Sequence, residues 1–131
     1  MTLNSIEPNA HYDLVHGKPS VFKKDNDGSF LFRFNIEPEM GTLEGETEVV
    51  QVGWKCREIR IWDKPTKQVL KKEIIRSVLD ETEEFSLINS YNKHVLGIKE
   101  DSEALGRYVA HLSFTEDVEA LLANNFQNET F

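Results

Sequence analysis

The stretch "TEVVQVGWKCREIRIWDKP", Thr47 to Pro65, decides the fold. Val50, Val52, Trp54 and Cys56 recur at every second residue, the period of a strand with one apolar face. After Cys56 the apolar positions move to Ile59 and Ile61. A bulge near Arg57–Glu58 explains that change of phase and leaves Trp62 on the face of Trp54; a strand buried on both faces also accounts for it. Beyond Asp63 the apolar period turns from two to 3.6, so the chain divides into strands first and helices after.

Upstream, "HYDLVHGK" reads as a short strand from His11, closed by Gly17 and Pro19. A second strand in "PSVFKK" runs into "DNDG", a turn in which Gly28 can take positive φ. Phe30, Phe32, Phe34 and Ile36 then alternate with Leu31, Arg33 and Asn35, a third strand with a heavily apolar face. "EPEMGTLEGETE" reads as an acidic loop.

Downstream, Leu70, Ile74, Ile75, Val78 and Leu79 share half of a helical wheel, with Asp63 and Pro65 as the start. Asp80 is placed to cap a second helix, with Glu83 three residues on as in a capping box and Gly97 at its end. Phe85, Leu87, Ile88, Tyr91 and Val95 form its apolar face. "EDSEALGRYVAHL" opens a third helix that clusters Leu105, Tyr108, Val109 and Leu112. From Phe114 the apolar arc moves to Val118, Leu121 and Leu122. A straight helix would have to bury most of its circumference to keep both sets, so a break is expected at "SFTED", with Thr115 as the new cap. The whole reads as an α+β single domain, residues 1–131, β-rich over 11–62 and α-rich over 63–125, with frayed ends at 1–10 and 126–131. An N-terminal antiparallel sheet of three or four strands is followed by three or four α-helices packed on one of its faces.

At 131 residues, 39% hydrophobic and 10% aromatic, the chain can fill a core. No apolar run reaches membrane length, and the first residues have neither a basic start nor an apolar run, so no secretory signal is expected. A lone cysteine fits a reducing compartment, and the cytoplasm is the expected location. The net charge of −8 is unevenly spread: residues 1–54 hold nine acids and four bases, 55–76 eight bases and three acids, 77–131 eleven acids and three bases. An acidic protein is a poor binder of phosphate backbones, with the basic segment as the exception.

Lys55 and Arg57 flank Cys56 but point to the opposite face of a strand, so Cys56 reads as a buried, inert thiol rather than a nucleophile. His11, His16, His94 and His111 lack the spacing of a zinc signature. No phosphate-binding glycine motif or nucleophile elbow occurs, and the helix-start carboxylates suit the helix dipole. No catalytic residue, cofactor or metal is therefore expected, and the reading is non-enzymatic. The basic segment is the remaining candidate: Lys55, Arg57, Arg60 and Trp62 on the strand, then Lys67, Lys71, Lys72 and Arg76 on the helix. The helical bases do not form one stripe: Lys67 and Lys71 fall inside the apolar arc, while Lys72 and Arg76 lie beside it. Nor do aromatics interleave with the bases as a stacking platform requires.

"CREIRIWDKPT", then "LKKEIIRSVLDETEEFSLINSYN", then a terminal helix resembles small uncharacterised proteins encoded in bacterial prophages and mobile elements, over about residues 52–125. The resemblance rests on helix caps and core positions and implies a phage-related setting with a structural or accessory role. The expected function is a protein–protein interaction or structural domain, acting on a protein partner or by self-association, with no membrane. The alternative is a nucleic-acid-binding accessory protein using residues 55–76. An enzyme is the third class, and it would need a pocket with converging polar groups.

Overall fold

The computed structural model describes residues 2–126. Where the sequence reads as one domain, the contacts group into two compact units: Ile6–Pro65, and Thr66–Phe131 with Met1–Ser5. The first holds a four-stranded antiparallel sheet and the second three α-helices, an α+β chain.

The strands are β1 (Ala10–Asp13), β2 (Phe22–Lys24), β3 (Phe30–Gly41) and β4 (Val50–Ile61), in the order β1-β4-β3-β2. The two twelve-residue strands form the centre, and the short ones flank them. The chain reading places a loop after Ile36, but β3 continues to Gly41 through Pro38. Proline is tolerated there because β2 covers only Phe30–Phe32, so this part of β3 is a sheet edge.

The phase change at Cys56 has a different cause from a bulge at Arg57–Glu58. β4 pairs Arg57 through Ile61 with Phe34 through Phe30 in continuous register. The extra residue sits on the partner strand, where Asn35 and Ile36 together oppose Cys56 and Asn35 takes φ 52°. Asparagine adopts that left-handed conformation at low cost. A second irregularity leaves Val52 unopposed between Gln51 and Gly53. Leu31, Phe32, Arg33 and Phe34 are all buried, so β3 is covered on both faces over these residues.

Within the segment 1–10, read from the sequence as frayed, the described residues Ile6 and Asn9 hold specific places. Ile6 is buried. The Asn9 side chain accepts from the Glu58 backbone N–H at 2.7 Å and donates to the Glu58 carbonyl at 3.0 Å, acting as one more strand residue beside β4. The expected fraying of 126–131 lies, from residue 127 on, outside the described residues.

In the helical unit, α1 spans Lys67–Arg76, α2 Glu81–Val95 and α3 Ala104–Phe126. The α1 cap is Thr66, whose hydroxyl accepts from Val69 N, rather than Asp63 or Pro65. Asp80 caps α2 as its sequence suggests, accepting from Glu83 N at 2.8 Å, and Gly97 closes the helix at φ 72°. The expected break at Ser113–Asp117 is absent. Thr115 bonds back to the Leu112 carbonyl at 2.8 Å and stays helical. The circumference argument fails because α3 does not keep both apolar sets. It buries Ala104, His111, Phe114, Val118 and Leu122, and leaves Leu105, Val109 and Leu112 exposed.

Gly53 is buried where β1 crosses it, and a Cβ there would stand 2.3 Å from the Tyr12 carbonyl oxygen. The obstacle is backbone, so β1 itself would have to move. Gly53→Ala is expected to cost about 1–3 kcal/mol, read as a lower urea midpoint with an unchanged slope.

Candidate functional site

Of the eight residues singled out from the basic segment, four lie on or just after β4 and four on α1. Lys55 pairs with Glu37 at 3.6 Å, and Arg60 with Asp25 at 2.8 Å and Asp27 at 3.8 Å. Arg57 donates to the Glu7 carbonyl at 3.3 Å. Lys71 pairs with Glu119, and Arg76 with Glu84 at 2.8 Å. Among the described residues, Lys67 and Lys72 make no ion pair, and both are exposed. Trp62 is 67% exposed just past β4. Most of the basic charge is thus answered by acids of the same unit. Cys56 is fully buried, and burial pushes its thiol pKa up, which keeps it protonated and inert.

Two clusters of ionisable groups assembled by the fold lie elsewhere. In the sheet unit Arg33, 4% exposed, projects from β3 beside Glu58 of β4 and Tyr12 of β1. Its Nε donates to Glu58 at 2.8 Å, its Nη2 to the Tyr12 hydroxyl at 3.0 Å and its Nη1 to the Ser20 carbonyl at 3.0 Å. Its guanidinium also lies 4.8 Å from the Tyr12 ring centroid. The Tyr12 hydroxyl donates to Glu58. Burial and that bond to Glu58 raise the Tyr12 pKa, which keeps the phenol protonated. A shallow hollow of about 550 Å³ beside the cluster is lined by Tyr12, Asp13, His16, Lys18 and Lys23 among others. The Arg33 donors are consumed within the protein, so the cluster works as a clamp on the sheet rather than as an open receptor.

In the helical unit Glu84 of α2 lies between Arg76 at the end of α1 and His111 of α3. Its Oε1 is 2.8 Å from Arg76 Nη2 and its Oε2 is 2.9 Å from His111 Nε2. Burial alone would raise the Glu84 pKa. The hydrogen bond and charge of Arg76, joined by His111, outweigh it and hold the carboxyl below its ordinary value. Above this node runs a groove between α2 and α3. Its outer part, about 460 Å³, is lined by Thr82, Glu83, Ser86, Ser90 and Arg107 with Leu79 and Leu87. An inner pocket of about 200 Å³ lies against Leu87, Ala110, His111 and Phe114.

Tyr12, Arg33, Glu58, Glu84 and His111 are absent from the sequence-derived candidates. Arg33 carried a signal, a charge inside the run "FLFRF". His111 carried another, since it stands seven residues after Ala104 and three before Phe114, on the buried arc of α3. Their partners come from distant segments that no local period reveals. Among the described residues no His, Cys, Asp and Glu group is arranged to hold a metal ion, and no helix is long and apolar enough to cross a membrane. Compared with known proteins, the chain matches no family model, no curated protein and no solved structure.

Two outcomes follow from the clusters. Glu58→Ala leaves the Arg33 guanidinium buried without its carboxylate and is expected to cost about 3–5 kcal/mol. The double change Arg33→Met with Glu58→Leu should recover most of that, as measured by chemical denaturation. For Glu84 the folded pKa is depressed, so its stabilisation is complete above its ordinary value of 4.5 and fades as pH falls through the folded value. Acid titration of stability should therefore be steeper for the native chain than for Glu84→Gln below about pH 4.5.

Proposed function

We propose that the protein is a non-enzymatic interaction domain that works through a protein partner or through self-association. The observation that carries this reading is α2. Its fifteen residues include Phe85, Leu87, Ile88, Tyr91 and Val95, and none is buried. Phe85 is 57% and Val95 61% exposed. On α3, Leu105, Val109 and Leu112 stand four and three residues apart, one stripe along the helix, each between 44% and 52% exposed. Scattered apolar residues on a surface are ordinary, but a stripe at helical spacing beside a helix with no buried residue is the pattern of a helix face awaiting a partner. The phage-related accessory setting implied by the sequence resemblance fits such a role.

The nucleic-acid reading draws on fewer charges than the sequence offers. Lys55, Arg60, Lys71 and Arg76 are each ion-paired within their own unit, which leaves Lys67 and Lys72 as the strongest candidates. An unpaired stripe is what phosphate contact requires.

The test compares the native chain with Phe85→Glu/Val109→Glu, both positions exposed so that folding is retained. The native chain is expected to form a dimer by light scattering, or to retain a defined protein partner from its host through a high-salt wash, and the variant is expected to lose it. A native chain that stays monomeric and captures nothing the variant does not would overturn the proposal. Nucleic acid released by salt and lost in Lys67→Glu/Lys72→Glu would transfer the function to the basic helix.

A further inference from the structure

Helices α2 and α3 run antiparallel, with Tyr91 stacked on Tyr108 and Glu84 against His111. These two contacts fix a seam between the helices and their register along it. On one side of the seam lies the groove of Glu83, Ser86, Ser90, Arg107 and Ala110. At about 100° per residue, Phe85, Ile88 and Val95 of α2 and Leu105, Val109 and Leu112 of α3 all fall on the other side. The exposed stripes of the two helices are therefore the walls of one apolar groove rather than separate patches.

That groove is charged at one end only. The register sets Val95 level with Leu105 at the apolar end, and Glu81 level with Glu116 at the other. Glu81 precedes Phe85 by four residues and Glu116 follows Leu112 by four, so each acid prolongs its stripe. Both are exposed. Arg76 stands 3.9 Å from Glu81 and is bound more closely by Glu84, at 2.8 Å. Among the described residues, Glu116 makes no ion pair. No lysine or arginine occupies a groove position on either helix, and Arg107 lines the opposite side.

We propose that this groove receives a basic amphipathic helix of a partner protein, an inference that rests on the contact-face reading above and names its occupant. The partner's apolar side chains, at helical spacing, lie between the two stripes as a third helix, and lysines or arginines at one end meet Glu81 and Glu116. A second copy of the chain does not meet these terms. Face to face, two chains of net charge −8 set acid against acid. The basic helix α1 cannot serve either, because its apolar residues Leu70, Ile74 and Ile75 are already buried.

The experiment titrates the full chain with three synthetic peptides of about 18 residues and follows backbone amide shifts by NMR. One peptide sets leucines at helical spacing among lysines, the second carries glutamates in place of the lysines, and the third scrambles the first. The leucine–lysine helix is expected to move the amides of Ile88, Val95, Val109 and Leu112 saturably and to bind about tenfold more tightly than either control. Glu81→Gln/Glu116→Gln should weaken it about fivefold at low salt and less at high salt. Phe85→Glu/Val109→Glu should remove the saturable shift. The comparison of three peptides on the native chain stands even if a variant folds poorly. Equal binding by the scrambled or the glutamate peptide, shifts centred away from the groove, or no saturable shift at all would overturn the proposal. A native dimer lost in Phe85→Glu/Val109→Glu would also overturn the basic-helix occupant, while leaving the contact face itself standing.

Discussion

A guanidinium buried in a small sheet is tolerable only when its charge and its donors are met, and Arg33 draws on three other chain segments to meet that condition. Tyr12 comes from β1, Ser20 from the segment before β2, and Glu58 from β4, while Arg33 itself belongs to β3. Backbone ladders alone hold β1 and β2 weakly, since they have four and three residues. The side-chain cluster adds a lock that is costly to half-open, because either partner left alone becomes an unpaired buried charge. Gly53 makes the lock reachable. It lets β1 approach β4 closely enough for Tyr12 to stand over the guanidinium.

The helical unit uses the same device in a weaker form. Glu84 joins the end of α1 to α3, and Tyr91 stacks on Tyr108 with ring centroids 4.5 Å apart. Helix α2 is thereby held by a charged node and an aromatic pair rather than by a buried apolar stripe. That leaves its hydrocarbon side chains at the surface, which is where the proposed contact face arises. Orientation is set by polar geometry, and the apolar surface is kept for other uses.

Much of the architecture was legible because periods and caps are local. The Phe30–Phe34 alternation, the Asp80 cap and the Gly97 stop all report on residues within one turn or two strand positions. The misreadings share a cause. The phase change in β4 looked like a bulge of that strand, but the extra residue belongs to β3, and a single strand carries no record of its partner's count. The break expected in α3 assumed that every apolar residue seeks the interior. Leu105, Val109 and Leu112 do not, and nothing in their own spacing distinguishes a face turned to solvent from one turned to a core. The clusters around Arg33 and Glu84 were hidden for the first reason, since their members lie 8 to 46 residues apart.

The outer edge of β3 beyond Arg33 has one more consequence. A long strand without a neighbour is a template onto which another copy can stack, the first step towards cross-β assembly. Here the edge is interrupted by Pro38, which removes a backbone donor, and bent by the irregularities at Asn35–Ile36 and Val52. Residues 37–48 add five glutamates and no base, so two such edges brought together would repel. The same residues that look like an idle acidic loop in the sequence thus give this open strand edge the proline, irregularities and like charge that oppose edge-to-edge pairing.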